Sequence, residues 1–158
     1  MTHLNRFHPL YILATFFWSG CLPKAPGTWG TLAALPAAYG ILLLGGPIAL
    51  AISAAALFLA GIPAANWLGT QLGKPDAGMI VVDEVAAMWL VLLVVPLSPL
   101  WWALAFAAFR LFDITKPAPI GWLDKTVKGG FGVMLDDMVA ALYAVALLYV
   151  VQAFIAAL

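Results

Sequence analysis

Charged side chains are rare in this sequence and stand between long apolar runs. Only 9% of the 158 residues are charged and 65% are hydrophobic, whereas about a quarter of the residues in a soluble globular domain are charged. The apolar runs cover residues 31–44, 47–68, 85–95, 100–109 and 138–158, with a weaker run at 9–18. This pattern predicts an all-α polytopic membrane protein that forms a single domain over residues 1–158.

Turn motifs divide the apolar runs into pairs. Only the runs at 47–68 and 138–158 reach the ~20 residues that a helix needs to cross about 30 Å of hydrocarbon. The motifs GGP at 45–47 and PLSP at 96–99 are typical of tight turns. We therefore expect the segments on either side of each turn to pair as short helical hairpins, in which each shorter helix extends into its charged flank or is shielded by its neighbours.

This pairing predicts that the two membrane faces differ in charge. Residues 1–30, 69–84 and 110–137 would lie on one face, together with every Lys, Arg, Asp and Glu of the chain. Since Lys and Arg in short loops mark the cytoplasmic side, we expect the charged face to be cytoplasmic. Lys125 and Lys128, beside Trp122, are typical of an anchor near anionic headgroups.

Five carboxylates converge at that face in the predicted arrangement. The second hairpin brings residues 83–84 to the depth of residues 110–113, and residues 136–137 begin the last span. Carboxylates crowded in a partly dehydrated volume repel one another unless cations compensate them. Oxygen ligands without a Cys or His cluster favour Mg²⁺ over zinc. The five are Asp83, Glu84, Asp113, Asp136 and Asp137.

Basic residues near the carboxylates suit a phosphate group. Arg110 and Lys116 follow one another along the returning helix. Lys24 lies in the motif PKAPGT at 23–28, which we expect to form a loop over the headgroup, with Thr28 as a hydrogen-bond donor. A metal ion, cations and a phosphate are together typical of phosphoryl chemistry. Asp76 lies in the same charged face but outside this cluster.

Simpler interpretations exist for each charged motif. The pairs at 83–84 and 136–137 could be favourable charges at helix N-termini. Arg110 and Asp113 could form an ordinary ion pair between successive helical turns. These explanations weaken when the motifs coincide, because ionisable residues at membrane depth usually have functional roles.

Several functions are excluded by the sequence. A net charge of zero gives no general argument for nucleic-acid binding, and one cysteine, Cys21, cannot form an intramolecular disulfide. A cysteine phosphatase needs Arg six residues after its Cys, where this chain has Gly27. The main body has no histidine nucleophile and no Asp-x-Asp pair. Metal-assisted hydrolysis or transfer remains.

Four motifs together resemble the phosphatidylglycerophosphatase A family. They are SGCLPKAPGTWGT at 19–31, VVDEVAAMW at 81–89, FRLFDITKPAPI at 109–120 and GGFGVMLDDMVA at 129–140. The resemblance implies a Mg²⁺-dependent phosphatase of the bacterial inner membrane that converts phosphatidylglycerophosphate to phosphatidylglycerol. Ala87 departs from the family, which often has Gly after the Asp-Glu pair, and this concerns helix spacing only.

We therefore expect the five carboxylates to hold Mg²⁺ and activate water, and we expect Lys24, Thr28, Arg110 and Lys116 to bind the substrate phosphate. Attack by water is the simplest mechanism, and a phospho-aspartate intermediate stays open. Two alternatives also stay open. One is a phosphatidyl or alcohol phosphotransferase, whose characteristic Asp-Gly and Ala-Arg pattern does not fit this chain. The other is a carboxylate-based ion-coupled transporter, in which charges would extend across the bilayer.

Overall fold

The computed structural model describes residues 4–157, and this part of the chain contains helices and no strand. The prediction of an all-α protein is therefore confirmed for these residues. The helices are α1 (Pro9–Ala14), α2 (Pro26–Leu72), α3 (Val82–Leu92), α4 (Pro99–Thr115), α5 (Ile120–Thr126) and α6 (Gly129–Ala156), with one 3₁₀ turn at Ser19–Cys21.

α2 consists of two helical arms that reverse direction at Gly46. This residue has φ 70° and ψ −169°, a conformation that is essentially restricted to glycine, and Pro47 then starts the second arm with a preset φ. A methyl group added at Gly30 would lie 2.5 Å from Val81 Cβ, and one added at Gly61 would lie 3.4 Å from Val82 Cγ1. One arm therefore contacts Val81 and the other contacts Val82, the next residue of the chain.

An uninterrupted helix could not make both contacts. It would separate positions 30 and 61 by about 46 Å at 1.5 Å per residue, whereas both positions pack against the start of α3. The predicted turn at 45–47 is therefore confirmed, and it makes the two arms of α2 the first hairpin.

α3 lies inside the bundle. Its 11 residues are too few to cross a bilayer, and all of them except Glu84 and Leu90 are buried. The indole Nε1 of Trp89 donates a hydrogen bond of 2.9 Å to the carbonyl of Ala34 in α2, which satisfies a donor that would be costly to bury alone. The predicted shielding of this short helix is confirmed.

The second hairpin joins α3 to α4 through residues 93–98. Ser98 is the N-cap position of α4, and Pro99 opens that helix with its missing N–H at a position that needs none. Gln152 of α6 donates a hydrogen bond of 2.9 Å to the carbonyl of Val94 in this turn. The C-terminal part of α6 therefore lies at the turn end of the bundle.

Two helices begin earlier than the hydrophobic pattern indicates. α6 begins at Gly129, nine residues before the expected run, because the glycine-rich segment packs closely on its neighbours. The N–H of Gly130 donates a hydrogen bond of 2.5 Å to Oδ1 of Asn66. α2 begins at Pro26, inside the motif that was expected to form a loop. α5 was not expected at all.

Two helices are long and apolar enough to cross a membrane by length and composition, namely Pro26–Leu72 and Gly129–Ala156. The core helix of a soluble protein would be mostly buried, but only 11% and 22% of their most apolar windows are buried within this protein. Leu44, for example, is 92% exposed. Such exposed apolar surface indicates membrane association.

Replacing Gly46 should test the reversal of α2. Gly46→Ala places a Cβ where φ is positive and ψ extended, and we expect it to lower stability by about 1–3 kcal/mol. Gly40→Ala is the matched control, because it lies in the first arm with no atom within 4 Å of the added methyl group. Melting curves in detergent should show a clear loss for Gly46→Ala and none for Gly40→Ala. Equal curves would contradict a glycine-dependent turn.

Candidate active site

All seven acidic residues of the chain line one cavity. The cavity has a volume of about 610 Å³ and lies at the end of the bundle where α3 and α6 begin and α4 ends. Four lysines share this lining. The acidic residues are Asp76, Asp83, Glu84, Asp113, Asp124, Asp136 and Asp137.

Three of these carboxylates form a close group, which we call the three-carboxylate cluster. It consists of Asp83 and Glu84, from the first turn of α3, and Asp137 from α6. One oxygen from each lies within 4.8 Å of the other two. Oε2 of Glu84 and Oδ2 of Asp137 are buried and have no hydrogen-bond partner. Because buried anionic oxygens are costly when uncompensated, this group fits a bound cation.

Asp136 and Asp137 are not charges at a helix N-terminus. They lie in the third turn of α6, which begins at Gly129 and has no acidic residue in its first turn. The helix dipole acts mainly on the first turn. The simpler interpretation of this pair is therefore wrong, whereas Asp83 and Glu84 do stand in the first turn of α3.

Arg110 lies behind the cluster. Its Nη1 forms a hydrogen-bonded ion pair with Oδ2 of Asp113 and lies 3.6 Å from Oε1 of Glu84. The side chain is 14% exposed, and Arg110 is absent from the cavity lining. Arg110 therefore connects α4 to the start of α3 and orients two carboxylates.

Lys116 connects two further carboxylates at the cavity wall. Its Nζ donates hydrogen bonds of 2.7 Å to Asp136 and 2.8 Å to Asp124. Burial alone would lower the pKa of Lys116, but these two bonds outweigh burial and hold it above its ordinary value. The hydrogen bond between Lys116 and Asp124 lowers the pKa of Asp124. An ammonium group has three donors, so one of the Lys116 donors stays available to a ligand.

Lys24 and Thr28 are not among the residues that line the cavity. Lys24 is exposed and has a left-handed backbone with φ 57°, and Thr28 lies in the first turn of α2. Gly27, between them, approaches the site most closely. A methyl group added there would collide with Oε1 of Glu84 and would lie 3.1 Å from Nη1 of Arg110.

Some residues of the cavity were not expected from the sequence. Asp124 and Lys125 come from the unexpected helix α5, and Lys74 and Asp76 come from the loop after α2. Asp76 was expected to lie outside the carboxylate cluster, and it is exposed at the cavity mouth. The sequence did contain a signal for the two additional acidic residues. Charge is rare in the chain, and only Asp76 and Asp124 remain once the five expected carboxylates are counted.

The charges of the cavity do not balance within the protein. Seven carboxylates face four lysines in the lining, with Arg110 adding one positive charge from behind. An all-oxygen donor set without cysteine or histidine suits a hard divalent cation such as Mg²⁺. The fold and site thus define an all-helical protein with a carboxylate-lined cavity of the kind that serves metal-assisted chemistry.

Comparison with known proteins identifies the family. The model of the family described as "PgpA: Phosphatidylglycerophosphatase A" matches residues 12–152. The chain is 40% identical to the phosphatidylglycerophosphatase A of Haemophilus influenzae, over 94% of this chain and 92% of the relative. It is 36% identical to the protein of that name in Escherichia coli, over 94% of this chain and 86% of the relative. The chain belongs to the phosphatidylglycerophosphatase A family of enzymes, as its motifs indicated.

A third relative has a different name. The chain is 40% identical to a Bacteroides thetaiotaomicron protein provisionally named a phosphatidylinositol-3-phosphatase, over 89% of this chain and 92% of the relative. No solved structure matches this chain. The names of the three relatives have a phosphatase activity in common but differ in the lipid.

Changing Gly27 should disturb the site and leave the fold intact. We expect Gly27→Ala to displace the Glu84 carboxylate and to lower turnover about tenfold or more, since small misplacements of catalytic groups are costly. Gly40→Ala, in the same arm of α2 with open space around it, should keep normal turnover. Phosphate release and a melting curve should be measured for both variants. Normal turnover in Gly27→Ala would contradict the close approach of α2 to Glu84.

Proposed function

We propose that this chain hydrolyses the phosphomonoester of phosphatidylglycerophosphate to give phosphatidylglycerol and phosphate. The observation that carries the proposal is the three-carboxylate cluster, whose carboxylate oxygens lie within 4.8 Å of one another and include buried oxygens without partners. Membership of the family gives the substrate, and the cluster gives the means of acting on it.

Mg²⁺ is the proposed cofactor. Asp83, Glu84 and Asp137 would hold it, because their oxygens converge and lack sufficient cationic partners. When bound, the ion would neutralise charge on the phosphate and make a bound water more acidic. Asp113 and Asp136 are oriented by Arg110 and Lys116, and they would complete the site as further ligands or as the base.

The remaining steps use the chain's own groups. A water molecule attacks phosphorus in line, and one of the five carboxylates accepts its proton. The bond between phosphorus and the headgroup oxygen breaks, and that oxygen leaves with the electron pair and takes up a proton. The free donor of Lys116 would stabilise the charge that develops on the phosphate oxygens. Lys24 and Thr28 would bind phosphate only after moving towards the cavity, and Arg110 would act through the carboxylates it orients.

The proposed location is the bacterial inner membrane, as a multi-pass protein with the cavity at the cytoplasmic face. Exposed apolar surface on α2 and α6 supports membrane insertion. The confinement of all acidic residues to one cavity supports a single working face, and it counts against a transporter, in which charges would follow a path across the bilayer. A phosphotransferase would use similar groups, and the release of free phosphate to water separates it from a phosphatase.

Two substitutions test the metal site. We expect Asp83→Asn and Asp137→Asn to abolish most phosphate release from phosphatidylglycerophosphate, because each removes one charge with little change of shape. In the wild type, Mg²⁺ should raise the melting temperature in detergent, since it binds the folded arrangement only. The shift should shrink or vanish in both variants, and their metal-free forms should melt slightly higher because repulsion falls.

The control for this experiment is Asp76→Asn. Asp76 is an exposed carboxylate at the cavity mouth, outside the three-carboxylate cluster. It should keep the Mg²⁺ shift and most of the turnover. If Asp83→Asn and Asp137→Asn also keep both, these carboxylates do not hold a metal and the proposed site is wrong.

The orientation can be tested with reporters. α6 has 28 residues and would reach about 42 Å at 1.5 Å per residue, enough to cross the membrane once. A reporter attached at Leu158, which lies outside the described residues, should therefore face the opposite side from one inserted between α4 and α6. Accessibility to a membrane-impermeant label in intact cells would measure this. Two cytoplasmic reporters would contradict the arrangement.

A further inference from the structure

Three lysines lie at the mouth of the cavity, and we call them the mouth lysines. Lys74 follows the end of α2, Lys125 lies in the last turn of α5, and Lys128 is the N-cap residue of α6. All three are exposed and line the cavity. The sequence indicated a membrane anchor for two of them, whereas their position in the lining directs them to whatever enters the cavity.

The mouth lysines have charge available for a ligand. In the part of the chain that the structure describes, the ion pairs of the cavity involve Arg110 and Lys116 and none of these three. Lys128 donates a hydrogen bond of 3.3 Å to a backbone carbonyl, that of Asp124, which leaves its charge unpaired. Around them, Asp124 is engaged by Lys116, and Asp76 is the other carboxylate at the mouth.

The fold holds two of the mouth lysines, Lys74 and Lys128, in a defined frame. The hydrogen bond between Asn66 and the N–H of Gly130 joins the end of α2 to the start of α6. Lys74 lies just beyond the first of these elements, and Lys128 lies just before the second. The positive mouth is thus fixed relative to the buried three-carboxylate cluster deeper in the same cavity.

We propose that the mouth lysines form a second anion subsite, which binds the phosphodiester of a lipid whose headgroup also carries a terminal phosphomonoester. The proposal rests on the proposed function, in which the carboxylate end acts on the monoester. The cavity has three lysines at its mouth and the three-carboxylate cluster at its buried end, in the order that such a headgroup needs. The diester stays near the membrane surface at the mouth, and the monoester reaches the deeper end.

The subsite would explain why proteins with different lipids in their names are similar in sequence to this chain. Phosphatidylglycerophosphate and phosphatidylinositol 3-phosphate both carry a diester and a monoester separated by three carbons of a polyol. Phosphatidate has a phosphomonoester and no diester. The mouth lysines would therefore favour either two-phosphate lipid over phosphatidate, by recognising the group that both retain.

The test compares two lipids with the same acyl chains. Phosphatidylglycerophosphate and phosphatidate are supplied in neutral detergent micelles with Mg²⁺, and phosphate release is measured for Lys74→Gln, Lys125→Gln and Lys128→Gln. We expect each change to lower kcat/KM for phosphatidylglycerophosphate about three- to tenfold, mainly through KM, as lost charge-assisted hydrogen bonds at an exposed site should. Release from phosphatidate should change less than about twofold.

Arg6→Gln is the matched control, since Arg6 is an exposed basic residue that does not line the cavity. It should leave both lipids unaffected. Equal losses on both lipids, or a similar loss in Arg6→Gln, would mean that the lysines act as general surface charge and would overturn the proposal. Melting curves identify any variant that loses activity by unfolding.

A binding measurement separates this proposal from the proposed function. Phosphatidylglycerol retains the diester and lacks the monoester that the proposed reaction hydrolyses. Its binding to the purified protein can therefore be measured without turnover. Its affinity should fall about three- to tenfold in the lysine variants and stay unchanged in Arg6→Gln and Asp137→Asn. If the wild type releases no phosphate, the proposed function fails, and the affinity for phosphatidylglycerol still decides the subsite. Unchanged affinity in all three lysine variants would overturn it.

Discussion

Repulsion among carboxylates in one partly dehydrated cavity is the constraint on which the site depends. Seven acidic side chains share a volume of about 610 Å³, and Asp83, Asp136 and Asp137 are at most 8% exposed. Like charges in such a place destabilise one another unless positive charge lies close by. Arg110 and Lys116 compensate part of this charge within the protein. The remainder is the charge that the proposed Mg²⁺ ion would neutralise.

The helices are arranged to bring these groups to one end. The reversal at Gly46 brings the second arm of α2 back alongside the first, so that both arms contact the start of α3. Gly27 lets the first turn of α2 approach Glu84 without a side chain between them. α3, which carries Asp83 and Glu84, is surrounded by protein and not by lipid. Close packing around a short helix thus fixes the depth of the carboxylates.

Much of the site was predictable because charge is so rare in this chain. Ionisable residues in an apolar protein must meet one another or water, so Asp83, Asp113, Asp137 and Lys116 could be grouped from the sequence and the two turn motifs. The ion pair between Arg110 and Asp113 was foreseeable from their spacing in α4. The side of the cluster on which Arg110 lies could not be predicted, because it also depends on the tertiary contact with Glu84.

Helix starts were harder to predict than turns. The segment before Asp136 reads as a loop by glycine content, yet Gly130 permits contact with Asn66 and the helix begins there. α5 is only seven residues long, and hydrophobic periodicity is a weak signal over so short a segment. Its contribution to the cavity, through Asp124 and Lys125, therefore depends on packing that no local pattern encodes.

Gathering every acidic side chain into the cavity also determines how the rest of the molecule meets a lipid surface. Among the described residues outside the cavity, the exposed formal side-chain charges are those of Arg6 and Lys24, and both are positive. An anionic membrane surface attracts such charges and repels carboxylates. A bilayer that grows richer in acidic phospholipid would therefore attract these two basic side chains more strongly, while the buried carboxylates inside the cavity stay away from the surrounding headgroups.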